Sequence, residues 1–110
     1  MKGTYLGEFE EIVLLAVGIL YENAYAVSIT KEIEGQSKRG IHISAVHTAL
    51  YRMEEKGLLK SHLGEATPVR GGKRKRLFAI TPYGARVLRE SQELRQQMWA
   101  RIPTVALPTN

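Results

Sequence analysis

The chain contains no cysteine among its 110 residues. Disulfide frameworks, cysteine-ligated zinc and thiol catalysis are thereby excluded, and a reducing compartment is permitted. Long apolar runs are missing as well: the longest, residues 12–20, falls well short of the roughly 20 residues that a helix needs to cross a bilayer. It follows Glu8, Glu10 and Glu11, an acidic flank unlike the basic one of a secretory signal. A cytoplasmic protein with no membrane partner is expected. Histidine is scarce, and His42, His47 and His62 fall in separate predicted elements without metal-ligand spacing. No HExxH motif occurs. Gly72-Lys73 fails as a phosphate-binding loop, because Thr67 stands where its first glycine belongs and Arg74 where Ser or Thr belongs. Repeats and low-complexity segments are also missing. These absences point away from an enzyme, and no cofactor or metal is expected.

What is present is unevenly placed positive charge. The formal net charge is +5. Up to Gly40 the acids Glu8, Glu10, Glu11, Glu22, Glu32 and Glu34 outnumber Lys2, Lys31, Lys38 and Arg39, so the basic excess lies in the remainder. It is concentrated over residues 60–76, where Lys60, Arg70, Lys73, Arg74, Lys75 and Arg76 face the single acid Glu65. Such a block is a candidate footprint for a polyanion, or else a solvated turn that keeps the chain soluble. Charge alone does not decide between them.

Hydrophobic spacing supplies the fold. Residues 7–22 carry Phe9, Ile12, Val13, Ala16, Ile19 and Leu20 at three- and four-residue intervals, widened by Leu14, Leu15 and Val17, which predicts a helix buried on more than one side. Asn23 is the expected N-cap of a second helix over residues 24–36, with Tyr25, Ile29 and Ile33 inward. Ile41-His42-Ile43 is β-branched and predicts a short strand stub. Ser44 is then the expected N-cap of a third helix over residues 45–56, stopped by Gly57. On that helix Val46, Ala49, Leu50 and Met53 make one face, and Ser44, His47, Thr48, Tyr51, Arg52 and Glu55 the other. Extended runs at 58–63 and 77–81 flank a basic tip with Pro68, Gly71 and Gly72, which predicts a β-hairpin. Thr81-Pro82 is a cap followed by proline at the first helical position and opens a last helix of about residues 82–101.

The expected fold class is therefore mainly α with a small β-hairpin (α+β): a winged helix-turn-helix over residues 1–81, a C-terminal dimerisation helix over 82–102 and a loose tail over 103–110. A 110-residue chain buries only about two-thirds of its unfolded surface. The first and last helices carry more apolar face than one such core covers, so a homodimer is expected, with Phe9, Leu88, Leu94, Met98 and Trp99 at the interface. In a winged helix-turn-helix the third helix enters the major groove and the wing reaches along the backbone, so the basic block falls where DNA would lie.

Four separated segments, LGEFEEIVLLAV at 6–17, AYAVSI at 24–29, AVHTALYRMEEKGL at 45–58 and GGKRKRLFAITPYG at 71–84, closely resemble the PadR family of bacterial transcriptional regulators. The resemblance implies a homodimeric winged-helix protein binding double-stranded DNA, usually a repressor. It also implies dimerisation through the C-terminal helix packed on the partner's first helix. Many members release DNA when a small, often aromatic, molecule binds. Two positions depart from the family: His47 stands where a tyrosine is frequent, and Leu77 where an aromatic is.

The candidate DNA contacts are Ser44, His47, Thr48, Tyr51 and Arg52 on the third helix, and Arg70, Lys73, Arg74 and Lys75 on the wing. Arg52 suits a bidentate bond to guanine or phosphate, and the hydroxyls suit phosphate oxygens. Alternation along the outgoing strand puts Arg74, Arg76, Phe78 and Ile80 on one side and Lys73, Lys75 and Leu77 on the other. This favours Lys73 and Arg74 at the tip as DNA contacts and leaves Arg76 to pair with Glu54 or Glu55. Trp99, the one tryptophan, is either interface packing or half of a clamp for a small planar hydrophobic effector. The competing function is a winged-helix module that binds another protein, without sequence-specific DNA binding.

Overall fold

A computed structural model describes residues 6–65 and 74–110. Helix α1 spans Glu8–Leu20 and runs into a single 3-10 turn, Tyr21–Asn23. The broad apolar stripe expected there separates into two faces. Val13, Leu14, Ala16 and Val17 are buried in the core, whereas Leu15 and Ile19 are exposed.

Helix α2 spans Ala26–Ser37. Its N-cap is Tyr25 rather than Asn23, because Ser28 folds back: its Oγ accepts from the Tyr25 amide at 3.0 Å and donates to the Asn23 carbonyl at 2.6 Å. One side chain thus binds the helix entry and the turn before it. Ile29 and Ile33 are buried as expected, and Tyr25 is only half-buried.

Helix α3 spans Ile43–Glu55 with His42 as its N-cap, so Ile41-His42-Ile43 forms no strand and Ser44 lies one residue inside the helix. The strand stub has no edge to join. The amide of Phe78 on the hairpin donates instead to the carbonyl of Ala24, at 2.8 Å, in the turn between α1 and α2. Val46, Ala49, Leu50 and Met53 are buried, and Gly57 at φ +81° reverses the chain after the helix.

Strands β1 (Leu59–Leu63) and β2 (Arg76–Ile80) pair antiparallel, with Leu59 opposite Ile80 and Leu63 opposite Arg76. The Gly64 amide donates to the Lys75 carbonyl at 2.6 Å and extends the ladder one step beyond them. Leu58, Leu59 and Phe78 enter the core. With α1–α3 the hairpin completes a winged helix-turn-helix.

Helix α4 spans Pro82–Arg101, as its Thr-Pro start predicts. Thr81 Oγ1 accepts from the Gly84 amide at 3.0 Å and donates to the Gly57 carbonyl at 2.6 Å. Gly84 crosses so close to the preceding turn that a Cβ there would overlap the Leu58 carbonyl. The start of α4 is therefore stitched to the turn that ends the third helix. Val87 reaches the core, but every residue of α4 from Glu93 on is exposed. This projecting half gives the chain a radius of gyration of 16.6 Å, against about 13 Å for a compact domain of this size. Residues 103–110, expected as a loose tail, hold one further 3-10 turn, Thr104–Ala106, and are exposed throughout. Among the described residues no helix is long and apolar enough to cross a membrane.

Candidate nucleic-acid interface

The outward face of α3 is made of rows four residues apart, because residues at that interval lie above one another on a helix. One row, Ile43, His47 and Tyr51, borders a cleft whose far wall is Arg74, Lys75 and Arg76 of the wing. The other, Thr48 and Arg52, borders a second cleft against Gly7, Glu8 and Glu10 at the start of α1. Ser44, His47, Thr48, Tyr51 and Arg52 are all exposed. The helix is thus a ridge between two clefts, one basic and one edged with acid.

Side-chain bonding gives these residues different freedom. His47 and Tyr51 stack with ring centroids 6.3 Å apart and planes 19° apart, which holds both rings on the cleft side. Thr48 Oγ1 donates to the Ser44 carbonyl at 3.0 Å, so its hydroxyl must turn before it can donate elsewhere. Glu10 is held at 3.3 Å by Lys56, a pairing that occupies one of the two acids of the second cleft beside Arg52.

The wing cations are placed by three different devices. Arg74 Nε donates to the Gly64 carbonyl at 2.7 Å, fixing the guanidinium stem at the hairpin's end. The Lys75 ammonium lies 4.2 Å from the centroid of the Tyr25 ring. Arg76 Nη1 donates to Ser61 Oγ at 3.1 Å, and that hydroxyl donates to Glu54 at 2.6 Å, so Arg76 reaches the expected Glu54 through a serine rather than directly. Strict alternation does not separate Lys75 from Arg74, which precede the first residue of β2, Arg76. All three line one cleft. Arg70 and Lys73 lie outside the described residues.

Tyr25, Val27 and Ile43 also line the wing-side cleft and were not anticipated there. Tyr25 reads in the sequence as an inward helical residue, and Ile43 as a strand residue; only the real starts of α2 and α3 turn them toward the cleft. Among the described residues no group of three His, Asp or Glu side chains could hold a metal ion.

The residues expected at a dimer interface are divided. Phe9 and Leu88 are half-buried and pack on the chain's own core. Leu94, Met98 and Trp99 are 56%, 63% and 67% exposed on the projecting half of α4. Trp99 lies with Met98, Ile102 and Arg95 in a shallow apolar recess. An apolar groove between α1 and α2, lined by Ile12, Leu15, Ile19 and Ile33, is likewise open.

The sequence profile described as "Transcriptional regulator PadR-like family" matches residues 14–90. A PadR family transcriptional regulator from Eggerthella lenta DSM 2243 is similar in structure with a TM-score of 0.68 at 22% identity, covering 93% of this chain and 88% of that one. A PadR-like transcriptional regulator from Bacillus cereus strain ATCC 14579 gives a TM-score of 0.72 at 16% identity, over 92% and 93% of the two chains. A transcriptional regulator from Clostridium thermocellum gives 0.64 at 25% identity, over 82% and 87%. The first two likenesses speak for the fold. Among curated proteins none matches.

Proposed function

Because the chain belongs to the PadR-like family of transcriptional regulators it is a DNA-binding regulator and not an enzyme, and we propose that it represses transcription by binding a pseudo-palindromic operator as a homodimer. The observation that carries this reading is the exposed face of α3 beside a cleft walled by Arg74, Lys75 and Arg76. A ridge of hydroxyl, imidazole, phenol and guanidinium groups suits base edges and phosphates, and the adjacent cations suit the backbone. Ser44, His47, Thr48, Tyr51 and Arg52 meet the groove and its edges, and Arg70, Lys73, Arg74 and Lys75 hold phosphates.

Residues 1–81 act as the DNA-binding unit and residues 82–102 as the dimerisation helix. The support is complementary: Leu94 and Met98 on α4, continued by Ile102 at its C-cap, form an exposed apolar row, and the groove between α1 and α2 offers an apolar bed edged by Glu32. Two such exchanges about a two-fold axis would bury both rows, and a two-fold dimer of this kind reads half-sites about one helical turn, roughly 34 Å, apart. A dimer seated on a promoter excludes whatever else must bind there, which is the simplest route from binding to repression.

An effector, where one acts, is a planar hydrophobic molecule held between protomers at Trp99, since the recess there offers the aromatic and aliphatic surface of Trp99, Met98 and Ile102, with Arg95 and Gln96 as its polar members. Release of DNA requires that it bind the non-binding spacing of the dimer more tightly, by about 1–3 kcal/mol for a 5- to 150-fold effect. Selection of bound duplexes from a random pool, followed by footprinting, tests the whole reading. A two-fold symmetric footprint is expected. Failure to enrich any sequence, or an asymmetric site bound by one protomer, would contradict it.

A further inference from the structure

The carboxylate of Glu11 takes no part in the DNA-facing surface, yet it is one of the best-held groups in the chain. Only 6% of the residue is exposed. Its Oε1 lies 2.9 Å from Nη2 of Arg95, and its Oε2 accepts from Ser91 Oγ at 3.0 Å and from Gln92 Nε2 at 2.7 Å. All three donors belong to α4. Among the described residues, Arg95 is also the furthest along that helix to bond a side chain of another helix. Beyond it α4 continues to Arg101 with every residue exposed, a lever of roughly 9 Å at 1.5 Å per residue. The grip therefore sits where the helix leaves the body of the protein.

A polar grip at that place does what apolar packing does not. Apolar contacts tolerate sliding and rotation with little change in area buried, whereas hydrogen bonds weaken steeply once length and angle depart from their narrow range. A carboxylate taken out of water must be paired, so any angle of α4 that removes its donors is penalised. Fixing register is the best-attested use of such buried polar groups. The other end of α4 is already stitched down by Thr81 and Gly84, so two separated attachments define the direction of the helix.

We propose that Glu11 is a positioning residue that sets the angle between α4 and the DNA-reading body, and thereby the spacing between operator half-sites that the homodimer accepts. This rests on the reading of α4 as the dimerisation helix. In a two-fold dimer any change of that angle is applied to both bodies at once. One added base pair displaces a half-site by about 3.4 Å and turns it by roughly 35°, so a stiff grip admits one spacing and a loose one admits neighbours.

The test uses the intact protein and the operator obtained by selection, together with operators whose central spacer is one base pair longer or shorter. Affinity is read by fluorescence anisotropy, and assembly by light scattering. The wild type should lose about tenfold or more in affinity on either altered spacer, the scale of a misplaced base contact. Gln92→Ala, which removes the 2.7 Å donor from outside the Trp99 recess, and Glu11→Gln should stay dimeric and bind the original operator within about fivefold of wild type. Both should lose most of the spacer discrimination, and the double variant should lose no more than the singles. Should Glu11→Gln fail to fold, Ser91→Ala and Gln92→Ala carry the comparison. A dimeric wild type without spacer discrimination, or folded dimeric variants that keep it, overturns this proposal alone. A monomeric wild type overturns the reading of α4 and this proposal with it.

Discussion

Lys75 rests its ammonium 4.2 Å from the centre of the Tyr25 ring, so a residue at the entry of α2 presents a cation of the wing to the cleft beside α3. The charge and its support can be separated by substitution. Lys75→Ala should weaken binding to every duplex and flatten the salt dependence by about one unit for each phosphate no longer neutralised. Tyr25→Leu keeps the charge and removes only the ring, worth about 0.5–1 kcal/mol at an exposed site, or roughly two- to fivefold in affinity. Its salt slope should match wild type. Anisotropy titrations at several salt concentrations distinguish the two, and equal changes of slope would show that Tyr25 does more than support Lys75.

Gly84→Ala should destabilise the fold without touching the DNA face. The added methyl overlaps the Leu58 carbonyl, and a backbone atom cannot rotate out of the way. A cost of about 1–3 kcal/mol is expected for forcing extra volume into this crossing. Thr81→Val removes both the cap on Gly84 and the bond to Gly57, and should cost about 1–2 kcal/mol. Thermal unfolding at a fixed protomer concentration measures both. An unchanged Tm for Gly84→Ala would mean that α4 can start elsewhere.

Loss of the Glu11 grip should also appear in stability. Glu11→Ala removes the acceptor of three α4 side chains, and Arg95→Ala leaves a buried carboxylate short of its cation. Removing one partner of a buried polar group costs about 1–3 kcal/mol, so Arg95→Ala should destabilise more than its own exposure suggests. Replacing Arg89, an exposed arginine on the same helix, by alanine is the control and should stay within about 0.5 kcal/mol of wild type.

Removal of residues 94–110 should yield monomers or insoluble protein, because it strips the apolar row of α4 and uncovers its bed on α1 and α2. Met98→Glu is the milder version and should raise the dimer dissociation constant by at least tenfold. Light scattering over a range of concentrations reads both. A stable, folded monomer of the intact chain at micromolar concentration would rule out the dimer.

Trp99→Ala should weaken binding of an aromatic effector while leaving operator affinity without effector within about threefold of wild type, the behaviour of a residue that contacts ligand and not DNA. Trp99 fluorescence reports occupancy. Aromatic compounds that neither quench it nor release DNA would leave Trp99 as interface packing.

How much of the fold and the DNA face is legible in the sequence differs from element to element. The last helix is readable to its ends, because Thr81-Pro82 is a start signal that works through neighbouring residues alone. The third helix is readable by its inner face and misleading at its start. Ser44 has the chemistry of a cap, but the helix begins at Ile43, two residues before the expected start, with no side-chain cap at all. Ile41 and Ile43 have strand propensity, which a three-residue segment cannot express without a free edge, and Ala24 holds that edge. The true cap of α2 depends on Ser28 reaching backwards, a reciprocal bond that a search for caps ahead of a helix overlooks. The cations of the wing are visible as composition, but their placement by Gly64, Tyr25 and Ser61 belongs to tertiary structure. Glu11 is hidden most completely. It reads as an acid in a first helical turn, and its partners Ser91 and Gln92 lie 80 and 81 residues away along the chain.

Recognition of DNA by sequence is put to its sharpest trial by the affinity of the intact protein for its selected operator and for random duplex, followed from about 50 to 200 mM salt and repeated for Arg52→Ala. A dimer that neutralises several phosphates should lose about a thousandfold or more in affinity over that range on either duplex. The operator should remain the tighter ligand throughout, and Arg52→Ala should cost the operator about 1–3 kcal/mol more than it costs random DNA. Binding that is indifferent to salt, or equal on the two duplexes for the wild type, would contradict a sequence-reading regulator and favour a winged-helix module whose partner is another protein.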